Sequence, residues 1–264
     1  MRAPWLVAAL AAAILAAPQA SAQDAETFAK ANQAYRSGDF RAALEGYRKL
    51  AARVANPALD LNLGNAAFKS GEIGWAIVYF ERGLRLEPRH EDLAANLTFV
   101  RERIVDRTGD EGTGAAAALE RVYRWLSLRE LLVLASIFWT LTLGTGAAMF
   151  WMEVPISWAV TAIFNLMELP RSGKIAALFA PCLAGLIFFG GWAATRLHDE
   201  SVPRAIVLEK EVKAASGPGA DQTIVFAVHE GTKVTVLRRS DRWAQVSLPN
   251  GYSGWVPEGS IEEI

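Results

Sequence analysis

The side chains best suited to covalent or metal chemistry in this 264-residue chain are three histidines, His90, His198 and His229, and one cysteine, Cys182. A metal site needs ligands at a characteristic spacing, and a nucleophile needs a base within hydrogen-bond reach. The histidines fall in three different regions, and no Gly-rich phosphate loop joins a strand to a helix. Ser216-Gly217-Pro218-Gly219 is turn chemistry. The expectation is therefore no catalytic residue, no metal and no cofactor, which is the pattern of a protein that is not an enzyme. One cysteine excludes an intramolecular disulfide. Placed in an apolar run, Cys182 reads as a small buried side chain, because such surroundings raise a thiol pKa.

The elements that must position any binding residues are organised by two apolar runs. Leu131 to Met152 and Ile175 to Thr195 contain no charge, and each has roughly the 20 residues a helix needs to cross a bilayer. They lack the polar stripe of a soluble core helix and offer only Thr, Ser and Gly, which membrane helices accept at their contacts. Two spans place a soluble segment before and another after the membrane, both in one compartment. Residues 1–22 read as a signal peptide: Met1-Arg2, the apolar run Trp5 to Ala17, then Ala20-Ser21-Ala22 as a cleavage site. In a bacterial host this puts both soluble parts in the periplasm, anchored in the inner membrane. The loop between the spans carries only Arg171 and Lys174 against Arg121, Arg124 and Arg129 before the first span, which opposes that orientation. Long domains translocate largely regardless of charge, so the signal peptide is expected to prevail.

Charge excludes one class of partner. The segment 23–130 carries 16 basic and 16 acidic residues, and 196–264 carries 8 and 10. Nucleic acid would need a basic patch, so none is expected as a partner.

The first soluble part repeats itself at a period of 33: Asn32, Tyr35, Gly38, Ala43 and Tyr47 recur as Asn65, Phe68, Gly71, Ala76 and Phe80. Such periods mark stacked helical units. Each copy has a helix, a Gly at the reversal, a small Ala where helices touch and an aromatic above it; Pro88 stops the second. Leu63-Gly64-Asn65-Ala66, Lys69-Ser70-Gly71, Ala76-Ile77, Phe80 and Pro88 resemble the tetratricopeptide repeat. The first copy, Asp24 to Pro57, is looser, and Asp92 to Asp106 resembles a lone further helix that caps the array. The expected unit is an all-α tetratricopeptide repeat domain over 23–107. The resemblance implies a concave groove lined by the first helix of each repeat, at Asn32, Tyr35, Asn62, Asn65, Phe68, Lys69, Asn96, Phe99 and Arg103. Asn both donates and accepts, which suits it to holding an extended backbone. Asn32 and Asn62 match the asparagines of a carboxylate clamp found in some members, but Asn96 stands where that clamp has an Arg. Asn62 and Asn65 also serve helix packing in this repeat.

Residues 108–130 divide into a Gly-rich linker, Thr108 to Ala116, and a helical pattern from Ala117 to Glu130 with Tyr123 and Trp125 suited to a membrane interface. The spans occupy 131–152 and 175–195. Between them, 153–174 holds the apolar stretch Val154 to Met167, too short to span, which reads as an interfacial or re-entrant helix; a third span is the alternative.

From Arg204 five short alternating strands are predicted, Ala205–Val212, Thr223–Val228, Lys233–Leu237, Trp243–Leu248 and Tyr252–Val256, separated by turn signals. They suggest a small barrel. Ser216-Gly217-Pro218, Glu230-Gly231-Thr232-Lys233-Val234, Trp243 and Gly254-Trp255-Val256-Pro257 resemble the bacterial SH3 domain, giving a small all-β SH3-like barrel over 204–264. Ala215 replaces the family's usual Arg. Trp243 and Trp255 are its candidate ligand surface, with barrel packing as the alternative.

The whole order resembles the BatE-type proteins of bacterial aerotolerance (Bat) operons: a multidomain membrane protein with a signal peptide, tetratricopeptide repeats, two transmembrane helices and an SH3-like barrel. That resemblance implies a periplasmic adaptor working with von Willebrand factor A-domain membrane proteins and a MoxR-type ATPase, in oxidative stress tolerance or export. The residues alone reach an anchored, two-module binding protein. The alternative is a tether that binds peptidoglycan through the barrel.

Overall fold

The computed structural model describes residues 22–106, 118, 122–153 and 171–264. The signal-peptide pattern, the Gly-rich linker and the apolar loop stretch lie outside the described residues.

Five helices form the first unit: α1 (Ala22–Arg36), α2 (Phe40–Ala51), α3 (Pro57–Lys69), α4 (Ile73–Leu86) and α5 (Glu91–Arg101). The sequence repeat is a repeat of backbone geometry. Gly38 and Gly71 both sit at positive φ, 84° and 82°, where a side chain would be strained. The Asp39 N–H donates to Ala34 and the Glu72 N–H to Ala67, both at 2.9 Å, so the two reversals are closed by the same bonds 33 residues apart. Ala43 and Ala76 are fully buried, and Tyr47 and Phe80 nearly so. Gly64 packs directly against the Phe80 ring, leaving no room for a Cβ. In the first copy Ala31 takes that place and Gly46 supplies the room, which lets α1 and α2 touch. Side-chain caps start the helices: Asp39 accepts from Ala42 N–H and Asn56 from Ala58 and Leu59 N–H.

Two long helices follow, α6 (Leu128–Trp151) and α7 (Arg171–Ser201), and both are long and apolar enough to cross a bilayer. Only 11% of each apolar window is buried in the structure, so neither serves as a soluble core. They pack on each other, with Gly185 beneath the Phe138 ring and Phe138 stacked on Phe189. Ser127 caps α6 in a capping box with Glu130, whose carboxylate accepts from the Ser127 N–H at 2.8 Å. This corrects the expectation of a helical pattern continuing through 117–130: the chain breaks at Trp125–Ser127, and Arg129 and Glu130 belong to the first turn of the apolar helix. Cys182 is half-exposed on α7, not buried; among the described residues α6 is the element packed on that helix.

Seven strands, not five, form the last unit: β1 (Arg204–Val207), β2 (Glu211–Ala215), β3 (Ile224–His229), β4 (Lys233–Ser240), β5 (Trp243–Ser247), β6 (Ser253–Pro257) and β7 (Ile261–Glu263). All pair antiparallel in the order β3-β2-β6-β5-β4-β1-β7. Three residues, Leu208 to Lys210, join β1 to β2, which stand four places apart in that order. A flat sheet would separate them by about 19 Å, and the link reaches at most about 14 Å. The sheet must therefore curl around its inner face, where Ala205, Val207, Val234, Val236, Ala244, Val246 and Val256 form the core.

Replacing Gly64 by Ala is expected to cost about 1–3 kcal/mol, because the Phe80 ring is boxed in by α3 and cannot yield. Chemical denaturation of the detergent-solubilised chain measures it, and Gly144→Ala, a position with open space around it, is the control that should cost nothing.

Candidate functional site: a helical groove and a built-in barrel

The groove positions predicted from the repeats fall on α1, α3 and α5, and the structure joins those of α3 and α5 into one strip. The Asn96 amide donates to the Asn65 side-chain oxygen at 2.8 Å, and the Phe68 and Phe99 rings meet edge to face at 5.5 Å. Arg103 lies over the Phe99 ring and donates to the Phe99 carbonyl. On the first pair, Asn32 accepts from the buried Tyr47 hydroxyl at 2.7 Å and Tyr35 packs edge-on to Phe40. Asn32, Asn65 and Asn96 are thus partnered inside the protein, because helix spacing brings each within reach of a polar neighbour. Each amide still has unused capacity, since Asn offers two donors and two lone pairs. Asn62 is half-buried and makes no side-chain hydrogen bond among the described residues, Lys69 is exposed, and Phe99 is 46% exposed.

On the barrel, strand alternation points Ala244 and Val246 inward and Trp243 and Gln245 outward. Trp255 lies opposite Gln245 and is also outward, yet it is buried, with the Arg238 guanidinium 5.9 Å from its ring. Arg238 is held there by Gln245, whose side-chain oxygen accepts from Nε at 2.6 Å. Of the two tryptophans expected on a ligand surface, only Trp243 remains open to solvent.

The contact that sequence reasoning missed joins the barrel to the helices. Outward residues of β7, β1 and β4 form one row, Glu262, Ile206 and Lys233 in register, and all three meet α4. Ile206 is fully buried in the helical core. Glu262 accepts from Arg82 at 2.6 Å, and Lys233 donates to Glu81 at 3.1 Å, where Arg101 also bonds. Gly74 lets the strand backbone approach: an added Cβ would stand 2.6 Å from the Val207 carbonyl, and the Gly74 N–H donates to Glu230 at 2.8 Å. Past α5, Asp106 accepts from the His229 N–H and the Thr232 hydroxyl and faces the His229 ring. The helical unit is likewise tied to the apolar pair, Arg89 to Glu130 and Arg85 to Glu200. One sequence signal was available for this, a carboxylate at Glu81 closing the apolar run Ile73 to Phe80. Its burial pushes the carboxyl up, but the attraction of Lys233 and Arg101 outweighs that and holds it below the usual carboxylate range.

Among the described residues no group of three or more His, Cys, Asp or Glu could hold a metal. His90 caps α5, and His198 lies exposed near the end of α7.

Two measurements follow from these environments. Lys233→Met leaves Glu81 with one cation fewer in a buried site and is expected to cost on the order of 3 kcal/mol by denaturation, with faster proteolysis at the helix–barrel boundary. Asp60, buried on α3, has its carboxyl pushed up to about 6, burial outweighing the attraction of Arg82. A raised carboxyl supports folding fully below its unfolded value near 4 and loses that support as pH rises through about 6. Asp60→Asn should therefore stabilise the protein by about 1–3 kcal/mol at neutral pH and not at pH near 4; an equal effect at both would show that the charge is not the cause.

No curated protein matches the chain. Residues 216–262, the sheet from the turn before β3 through β7, match the family model of the bacterial SH3 domain.

Proposed function

We propose that this is a non-catalytic adaptor anchored by α6 and α7 as a transmembrane hairpin, which presents a tetratricopeptide-type groove to a membrane protein partner. The observation that carries the reading is the strip of Asn62, Asn65, Asn96 and Phe99 along α3 and α5, amides with spare hydrogen-bonding capacity beside an exposed aromatic. Such a surface suits an extended backbone, whose N–H and C=O groups need partners at regular intervals. The signal-peptide pattern favours the periplasmic side of a bacterial inner membrane. By its resemblance to the BatE type, the partners are von Willebrand factor A-domain membrane proteins coupled to a MoxR-type ATPase. The bacterial SH3 domain acts here first as an intramolecular support for the repeats.

A second reading, attachment to peptidoglycan through the barrel, is favoured by the half-exposed Trp243 beside Arg238 and Gln245. Co-sedimentation of the solubilised chain with purified wall material, lost on Trp243→Ala, would establish it; no sedimentation would remove it.

The adaptor reading is tested by affinity purification of the tagged chain from its native membrane. A-domain membrane proteins are expected to accompany the unaltered chain and to be lost, at unchanged melting temperature, with Asn62→Ala plus Phe99→Ala. Undiminished recovery with that variant would sink the groove.

A further inference from the structure

We infer that the β4–β5 turn is a foot that stands on the bilayer, with Arg238 and Arg242 on the phosphates of anionic phospholipids and Leu237 and Trp243 among the headgroups. This rests on α6 and α7 spanning the membrane, and it gives to lipid the patch that the second reading above gives to peptidoglycan. Strand register sets where the foot points. β1 leads the chain away from α7, β4 runs antiparallel to it with Thr235 opposite Arg204, and the Val236 N–H donates to the Pro203 carbonyl at 2.8 Å. Past that bond β4 heads back towards the helix end from which the chain came. Leu237 to Ser240 lie beyond the bond and pair with β5 alone. Pro203 follows Ser201, the last residue of α7, by two, so it stands no more than about 16 Å from Thr195, the end of the apolar run. The overhang past Val236 is about 13 Å long and a headgroup layer about 5–8 Å deep, so the turn is long enough to reach that layer.

The side chains there suit that place. Leu237 is the extra residue of a β-bulge, the register stepping from Val236 to Arg238, and it is 54% exposed. Arg238, Arg239 and Arg242 outnumber the one carboxylate of the tip, Asp241 at the turn. Glu258 and Glu263 neutralise Arg239. Arg238 and Arg242 are exposed, and neither makes an ion pair among the described residues. Gln245 accepts from Arg238 Nε at 2.6 Å and the Trp255 ring centroid lies 5.9 Å away, which fixes the guanidinium and leaves its two terminal amino groups for an anion. Trp243 points outward where β5 leaves the turn, half-exposed. An exposed leucine and tryptophan flanked by cations are the composition of a segment that lies in the headgroup layer. A neutral glycan would engage Trp243 and leave the two unpaired cations without a role.

The test uses the full-length protein in phosphatidylcholine nanodiscs, with or without phosphatidylglycerol, each carrying a lipid spin-labelled at its headgroup. A fluorophore is attached at Ser240→Cys, beside the turn, or at Ser253→Cys, about 13 Å away at the far end of β5 and β6, both with Cys182→Ala. Quenching at 240 is expected to be at least about twofold stronger than at 253 and to rise with phosphatidylglycerol, the rise shrinking as salt screens the charges. Arg238→Gln plus Arg242→Gln should abolish the rise at an unchanged melting temperature. Quenching at 240 that ignores phosphatidylglycerol, or a rise that survives the double substitution, would overturn the anionic-lipid contact. Equal quenching at the two positions would overturn the foot itself, and wall material that binds the chain and is released by Trp243→Ala would then take the patch. A chain that does not enter nanodiscs would overturn the transmembrane reading and this inference with it.

Discussion

Ile206 points away from its own sheet and finishes the core of a different unit. On β1 the period of two sends Ala205 and Val207 into the barrel, and the residue between them goes into the helices. Two helix pairs and one further helix bury little apolar surface, and terminal faces of stacked repeats need covering. Here α5 covers one side of α4 and the barrel covers another, so α4 is enclosed almost along its length. The sheet thereby braces α4, the helix that packs on both α3 and α5.

The polar members of the same row fix how the two units meet. Burying Glu81 is unfavourable unless cations accompany it, and one of those cations, Lys233, comes from the barrel. A rotated barrel would leave the carboxylate with fewer partners and Arg82 without Glu262. Hydrophobic contact supplies the attraction, and these pairs supply its direction. At the other end of α4, Arg85 and Arg89 extend the same logic to the apolar pair through Glu200 and Glu130. Those pairs are part-exposed and individually weak, but they engage both long helices at once.

How much of this was legible in the sequence depended on whether the signal was local. The helix pairs were, because Gly38 and Gly71 mark the same reversal and Ala43, Ala76, Tyr47 and Phe80 the same packing. The long helices were, from uncharged length alone. The split between β1 and β2 was not: Leu208-Glu209-Lys210 contains no turn residue, and Ala205 to Leu208 is apolar throughout, which hides that Ile206 faces a different neighbour from Val207. β7 was missed because three residues with two carboxylates look like a polar tail until Arg82 and β1 are seen beside them. The repeat puts Asn32, Asn65 and Asn96 on the first helix of each unit, but their hydrogen-bond partners come from other helices, and no spacing along the chain reveals them.

The junction between α7 and β1 is only two residues long, Val202 and Pro203, and the Pro203 carbonyl is held by the Val236 N–H at 2.8 Å. Proline fixes one of the few torsions available there. If α6 and α7 sit in a bilayer, the barrel is held at its surface and the helical unit, tied to the barrel, is held at one height with one heading. On the proposed adaptor reading such an arrangement is a measuring stick: it would engage segments that a neighbouring membrane protein exposes at that height and pass over identical segments carried nearer or farther from the lipid.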